Sequence, residues 1–168
     1  MEHQVHYLEN THPSVGLVYI WSVFIDEYDF VIGEFDTDCQ SLQIYSIEGN
    51  FLPLLIYQNF IGNASVPLFR RQSLEQVGGY KYNHCEDWEL TLRIAAKYKI
   101  GVVPAFLLGY RQQQNTASSN ISVMAQAYQE ILSHWQANYQ QINPQIFHWA
   151  SGLFYTYLAS KAYANRQH

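Results

Sequence analysis

Charged side chains are scarce in this sequence. They make up 14% of the 168 residues, against about 25% in an average soluble domain. Acidic residues outnumber basic ones by 14 to 9, and the Lys and Arg residues form no run. Proteins that bind nucleic acid normally carry a basic patch, so we do not expect a nucleic acid as a partner.

Cysteine and long apolar runs are also lacking. The two cysteines, Cys39 and Cys85, have a spacing typical of neither a disulfide framework nor a metal site. They are interpreted as reduced thiols of a cytoplasmic protein. No run of about 18 apolar residues occurs, which excludes a predicted membrane span. The residues after Met1 show no basic region followed by an apolar stretch, so no signal peptide is predicted.

Aromatic residues, in contrast, are abundant: the chain has 14 Tyr, 9 Phe and 4 Trp. Its length corresponds to about one domain, which is enough for one hydrophobic core. With so few charges, the surface is expected to be rich in Tyr, Gln and Asn. We therefore expect a covered face or a partner.

Hydrophobic patterns predict a chain of alternating helices and strands. Helices are expected at residues 2–9, 51–57, 72–77 and 86–97, and strands at 15–25, 30–32, 65–69, 100–103 and 106–110. Pro104 separates the last two strands. Two further helices follow, the second beginning with Asn143 as a cap and Pro144 at the first helical position. This order predicts an α/β fold, with a small mixed sheet flanked by helices and a two-helix C-terminal tail.

Two adjacent carboxylates, Glu86 and Asp87, lie at the predicted start of a helix. Free backbone N–H groups and the helix dipole favour negative charge there, so Asp87 is expected to be ionised at neutral pH and able to accept a proton. Trp88 offers a flat apolar face of the kind on which sugars stack. The alternative is purely structural: Asp87 as a helix N-cap and Trp88 as a core residue.

Short motifs follow one another in a distinctive order between Asn59 and Ser119. They are Asn-Phe-Ile-Gly-Asn-Ala-Ser at 59–65, Leu-Phe-Arg-Arg at 68–71, Val-Gly-Gly-Tyr at 77–80, Glu-Asp-Trp-Glu at 86–89, Val-Val-Pro at 102–104 and Gly-Tyr-Arg at 109–111. In this order they resemble the family 2 glycosyltransferases of the GT-A fold. The resemblance covers residues 1–120 and identifies them as the C-terminal, acceptor-binding half of such a domain, with 121–168 as a helical tail packed on it.

The resemblance implies an inverting transfer of sugar from a nucleotide-sugar donor to a hydroxyl of a carbohydrate acceptor. Asp87 matches the general base that deprotonates this hydroxyl, in the way that a carboxylate activates water in inverting glycoside hydrolysis. Glu86 and Trp88 would line the sugar and acceptor cleft, with Asn63 near it. Arg111 matches an arginine that closes over the diphosphate.

The same resemblance implies that an N-terminal half, which carries nucleotide binding and an Asp-x-Asp metal motif, precedes the point matching Met1. Mg²⁺ or Mn²⁺ is therefore expected only with that half, and no cofactor in this chain. Asp36-Thr37-Asp38 matches the Asp-x-Asp motif but follows the 15–25 strand, so it is interpreted as a polar loop. Gln113 stands where the family often has a metal-binding His. The isolated chain is expected to be inactive, with a separate N-terminal half or further copies of itself as partner.

Three other functions stay open at this stage. The first is a non-catalytic carbohydrate-binding or scaffold module derived from a truncated glycosyltransferase. The second is a thiol enzyme built on His84 and Cys85, although a nucleophile and its base rarely adjoin in sequence. The third is a metal hydrolase that uses His84, Glu86 and Asp87, although their spacing matches no standard ligand set.

Overall fold

A computed structural model describes residues 1–34, 48–113 and 120–164 of the chain. In chain order, its elements are α1 (Glu2–Glu9), β1 (Val15–Ile25), β2 (Val31–Glu34), α2 (Leu52–Tyr57), β3 (Pro67–Phe69), α3 (Arg71–Val77), α4 (Glu86–Ala95), β4 (Lys99–Arg111), α5 (Ile121–Asn138) and α6 (Pro144–Ala164). The predicted α/β class, with a small mixed sheet flanked by helices, is confirmed at this level.

The sheet is built around β1, whose six residues from Val15 to Ile20 are all buried. β1 runs parallel to β4 along its whole length and antiparallel to both β2 and β3. Because β4 occupies one edge of β1, β3 and β2 share the other edge, β3 beside Leu17–Tyr19 and β2 beside Val23–Ile25. The continuous run of Val, Ile and aromatic residues reflects this position between two sets of neighbours.

The prediction of two strands around Pro104 is wrong, because β4 is a single strand with a bulge. Ile20 pairs with Val103 and the next residue, Trp21, pairs with Phe106, so Pro104 and Ala105 are left over. Proline has no N–H to donate to a strand ladder, and a bulge accommodates it. The strand continues because the residues on both sides of the bulge pair with the same partner, β1.

One hydrophobic core joins the sheet, α4 and the two C-terminal helices. Trp88 of α4 stacks on Tyr128 of α5 with ring centroids 4.9 Å apart, and Tyr128 stacks on Phe154 of α6 at 3.7 Å. Tyr128, Ile131 and Trp135 recur at helical spacing on α5 and are buried. The tail is thus attached to the rest of the chain by aromatic stacking.

Several large apolar side chains stay exposed at the far end of the sheet. Phe30 and Val31, in the β1–β2 hairpin, are 69% and 64% exposed, and Phe106 and Leu107 of β4 are also exposed. Exposed apolar side chains of this kind favour association with another protein surface. None of the helices in the described part of the chain is both long and apolar enough to cross a membrane.

Replacing either of two glycines by alanine tests the packing, because the two substitutions should change the free energy of unfolding in opposite directions. A Cβ on Gly16 would lie 2.6 Å from Cβ of Tyr98, which cannot move without its backbone, whereas a Cβ on Gly152 of α6 would meet nothing within 4 Å. We expect Gly16→Ala to lower the free energy of unfolding by about 1–3 kcal/mol through overpacking. Gly152→Ala should raise it by about 0.5–1 kcal/mol, because glycine is unfavourable inside a helix. Urea unfolding followed by circular dichroism measures both, and equal effects would contradict this packing.

Candidate active site

The candidate site lies at the beginning of α4. The residue before the helix, Cys85, has a left-handed backbone conformation with φ of 54°, and its side chain makes no capping hydrogen bond. The backbone N–H of Trp88 donates instead to Oδ1 of Asp87 at 2.7 Å. Asp87 is therefore not the N-cap itself, but its carboxylate satisfies one of the free N–H groups of the first turn.

The carboxyl of Asp87 is partly buried, and this burial raises its pKa above the usual value. The N–H of Trp88 acts in the opposite direction, and the nearby Glu86 carboxylate raises the pKa further. The stabilisation of the anion expected from the helix start is thus present but smaller than the cost of desolvation. Among the described residues, no Lys or Arg forms an ion pair with Asp87.

Trp88 occupies a core position. Its side chain is 4% exposed, its ring N–H donates to the carbonyl of Leu55 at 2.9 Å, and one ring face is covered by Tyr128. This environment corresponds to the structural alternative for Trp88. In this arrangement the ring offers no open face for sugar stacking.

Arg93, one and a half turns beyond Asp87, links α4 to the turn that precedes it. Its Nε and Nη2 donate to the two carboxylate oxygens of the buried Glu89, four residues earlier in the helix, at 2.7 and 2.8 Å. The same guanidinium donates to the carbonyls of Val77, Gly78 and Gly79 at 2.5, 3.0 and 2.7 Å. We call this arrangement the Arg93 clamp.

The Gly78-Gly79 pair bends the chain at the clamp. Gly78 follows α3 with φ of 81°, a value that a residue with a side chain rarely adopts. The ψ of 168° distinguishes this conformation from the left-handed cap that often ends a helix at glycine. The carbonyl of Gly78 accepts a hydrogen bond from Arg93.

Asn63 lies in the loop before β3 and is 9% exposed. Its Oδ1 accepts the backbone N–H of Ser65 at 2.9 Å, while its Nδ2 is buried without a partner among the described residues. A buried donor without a partner is uncommon in folded proteins. The Nδ2 of Asn63 is almost inaccessible from the surface in this arrangement.

Arg111 is the last residue of β4. Its guanidinium donates to the carbonyl of Asp26 and forms an ion pair with Asp29, both in the β1–β2 turn. Among the described residues, no ion pair joins Arg111 to Asp87.

Cys85 does not have the properties of a nucleophile. Burial raises the pKa of its thiol to about 12, and the carboxylates of Asp87 and Glu86 act in the same direction. A thiol at neutral pH is a poor nucleophile, which argues against the thiol-enzyme alternative.

Within the described ranges, no three His, Cys, Asp or Glu side chains lie together as a possible metal site. Asp36-Thr37-Asp38 and Cys39 lie outside the described residues.

Two open hollows can be measured elsewhere on the surface. One, of about 350 Å³, lies between α1 and the start of α3, and the other, of about 540 Å³, lies between α2 and α6. Neither is lined by Glu86, Asp87 or Asn63.

No protein-family model matches this chain, and no curated protein matches it in sequence. Any functional assignment therefore depends on the residues and their geometry.

The pKa of Asp87 leads to a stability prediction. Because the folded-state pKa is raised above the unfolded value, the stability associated with this carboxyl is present at low pH and is lost as pH rises through the folded pKa. Asp87→Asn keeps an oxygen acceptor without a charge, so it should unfold at a higher temperature than wild type at pH 7. Calorimetry should show this advantage shrinking towards pH 3. Glu75→Gln, an exposed control on α3, should show no such trend, and an advantage that grows at low pH would contradict the burial effect.

The Arg93 clamp yields a second prediction. Arg93→Met would leave the buried Glu89 and three carbonyls without their partner, at a cost of about 3–5 kcal/mol in the free energy of unfolding. Lys97→Met, which removes an exposed cation near the end of the same helix, should change it by less than about 0.5 kcal/mol. Denaturant unfolding compares the two variants, and similar values would show that the clamp adds little.

Proposed function

We propose that this chain supplies the acceptor-binding and catalytic-base half of an inverting, family 2-like glycosyltransferase built on a partial GT-A fold. The single observation that supports this most is the state of Asp87. Its carboxylate is partly buried, free of any ion pair to the described Lys and Arg residues, held by one helix N–H, and raised in pKa. A general base needs these properties, because a higher pKa gives the carboxylate a greater tendency to take a proton.

The proposed reaction is one displacement. A hydroxyl of the acceptor sugar gives its proton to the carboxylate of Asp87 as its oxygen attacks the anomeric carbon of the donor sugar. The bond from that carbon to the diphosphate oxygen breaks, and the nucleoside diphosphate leaves with the bonding electrons. Because attack and departure occur on opposite faces, the anomeric configuration inverts.

The other predicted substrate-binding residues have supporting roles in this proposal. Glu86 adjoins Asp87 and raises its pKa. The Nδ2 of Asn63 has no partner among the described residues, but it is buried and would need a local rearrangement to reach a ligand. Arg111 would have to exchange Asp29 for a diphosphate. Trp88 supports the site from the core by donating the N–H that orients Asp87.

Mg²⁺ or Mn²⁺, which the resemblance implies, does not fit the residues that the structure describes, since no three possible ligands lie together among them. We propose that the nucleotide-binding half holds the metal. The free thiol of Cys85 is compatible with the cytoplasm as the proposed compartment.

The test measures transfer to an array of oligosaccharide acceptors from UDP-, GDP- and dTDP-sugars with Mn²⁺. The chain is assayed alone and after mixing with a nucleotide-binding half of a GT-A enzyme. Alone, it should show no turnover, and its binding of donors by calorimetry should be weaker than about 1 µM. In the mixture, Asp87→Asn should lower kcat about 10²–10⁴-fold, the usual contribution of a general base, with donor binding unchanged.

Two results would count against the proposal. Micromolar donor binding by the chain alone would contradict the division between halves. Equal turnover of wild type and Asp87→Asn in the mixture would contradict the base assignment.

A second candidate function is a non-catalytic carbohydrate-binding or scaffold module. The observation that favours it is that Asp87 lines neither of the two measured hollows. Acceptor binding without turnover in every mixture would support this module over the enzyme.

A further inference from the structure

The hollow between α2 and α6 opens on the solvent side of the C-terminal helix. It has a volume of about 540 Å³ and is lined by one residue of α2 and five of α6: Tyr57, His148, Trp149, Gly152, Leu153 and Thr156. This volume lies within the range of roughly 300–1,000 Å³ that is typical of small-molecule sites. On the opposite side of α6, Phe147 and Ala150 are buried in the core. The wall that α6 forms is therefore held in place by the core.

Gly152 provides much of the room in this hollow. A Cβ at this position would meet no atom from the rest of the chain within 4 Å. Trp149 precedes it by three residues and Thr156 follows it by four, which places all three on one face of α6. Glycine inside a helix is less stable than alanine by about 0.5–1 kcal/mol. In spite of this cost, the helix has no side chain at the centre of the hollow.

Trp149 gives the hollow an accessible aromatic ring. It is 56% exposed, whereas Trp88 and Trp135 are 4% and 2% exposed. Tryptophan is highly buried on average, because its ring is large and apolar. Tyr57 of α2, which is partly buried, lines the same hollow. An exposed indole beside a preformed hollow offers a ligand a flat apolar surface on which to stack.

The hydrogen-bonding groups of the hollow define the ligand further. Among the described residues that line it, none is Asp, Glu, Lys or Arg, so a phosphate or carboxylate would find no guanidinium or ammonium partner. The hydroxyl of Thr156 donates to the carbonyl of Gly152 at 2.9 Å, which leaves its oxygen able to accept. The imidazole of His148 and the phenol of Tyr57 also have hydrogen-bonding atoms. These groups fit an uncharged ligand with an apolar face and hydroxyl groups along its edge.

We propose that the hollow between α2 and α6 is a binding site for an uncharged saccharide, with one pyranose ring stacked on Trp149. The C–H face of the pyranose packs on the indole, and a sugar hydroxyl donates to Oγ1 of Thr156. The site goes beyond the proposed function, because it lies on the helical tail and requires nothing of Asp87. It would hold carbohydrate whether or not the chain takes part in transfer.

The experiment applies the whole chain, labelled with a fluorophore at its N-terminus, to an array of printed uncharged mono- to tetrasaccharides. Calorimetry then measures the affinity of each hit in solution. Trp149→Ala should lower this affinity about tenfold or more, because the stacking surface is lost. Gly152→Leu should lower it by a similar factor, because the new side chain fills the hollow. A sulfated form of each hit should bind no more tightly than the uncharged form, since the lining has no Lys or Arg.

Two controls separate loss of the site from loss of the fold. Tyr163→Ala removes another exposed aromatic ring of α6, outside the hollow, and should leave the affinity unchanged. Gly152→Leu replaces glycine by a good helix former in open space, so its urea midpoint should not fall below that of wild type. Light scattering of wild type and Gly152→Leu measures whether the same face joins two copies of the chain.

Each outcome either supports or overturns the site. Weaker binding in Trp149→Ala and Gly152→Leu, with wild-type affinity in Tyr163→Ala and Asp87→Asn, supports it. Wild-type affinity in both Trp149→Ala and Gly152→Leu overturns it, and if Asp87→Asn alone loses binding, the saccharide is held at the start of α4. Absence of any hit with wild type overturns it as well, while the transfer assay remains a separate test of the proposed function. If wild type binds no saccharide and Gly152→Leu converts a dimer into a monomer, the hollow is an interface between copies instead.

Discussion

The described structure depends on β1 having neighbours along both of its edges. One edge is taken entirely by β4, and the other is divided between β3 and β2. Every main element of the candidate site is attached to this strand. β3 leads into α3 and the Gly78-Gly79 turn, α4 leads into β4, and Ser73 of α3 donates to the carbonyl of Gly16 at 2.8 Å. The elements on either side of α4 are thus positioned by backbone pairing to β1, and side-chain hydrogen bonds join α4 to them.

Arginine side chains donate many of these hydrogen bonds. Arg70 donates from its Nε to the carbonyl of Val15 at 2.8 Å and from its Nη2 to the carbonyl of Leu8, joining α1 to β1. Arg93 does the same for the turn before α4. In a chain with few charges, these guanidinium groups are used to satisfy backbone carbonyls in places where no regular ladder exists. Each provides several donors in one plane, which a lysine does not.

Patterns that depend on near neighbours in sequence were readable in advance. The bounds of α1 and β1 follow from their apolar content, and the Glu89–Arg93 pair follows from its four-residue spacing. The bulge at Pro104 was misread as a break, because a bulge is defined by the partner strand. Likewise, the helix start at Asp87 was visible, but the burial that raises its pKa comes from residues distant in sequence. The hydrogen bonds from Arg93 to three backbone carbonyls could not be predicted from the sequence, where only the adjacent glycines indicated an unusual turn.

The aromatic column of Trp88, Tyr128 and Phe154 connects the C-terminal helices to the Asp87 carboxylate by a short series of contacts. The N–H that Asp87 accepts belongs to Trp88, and the ring of Trp88 is the first member of the column. Because that N–H lowers the pKa of Asp87, we expect this pKa to depend on how α5 and α6 pack against Trp88.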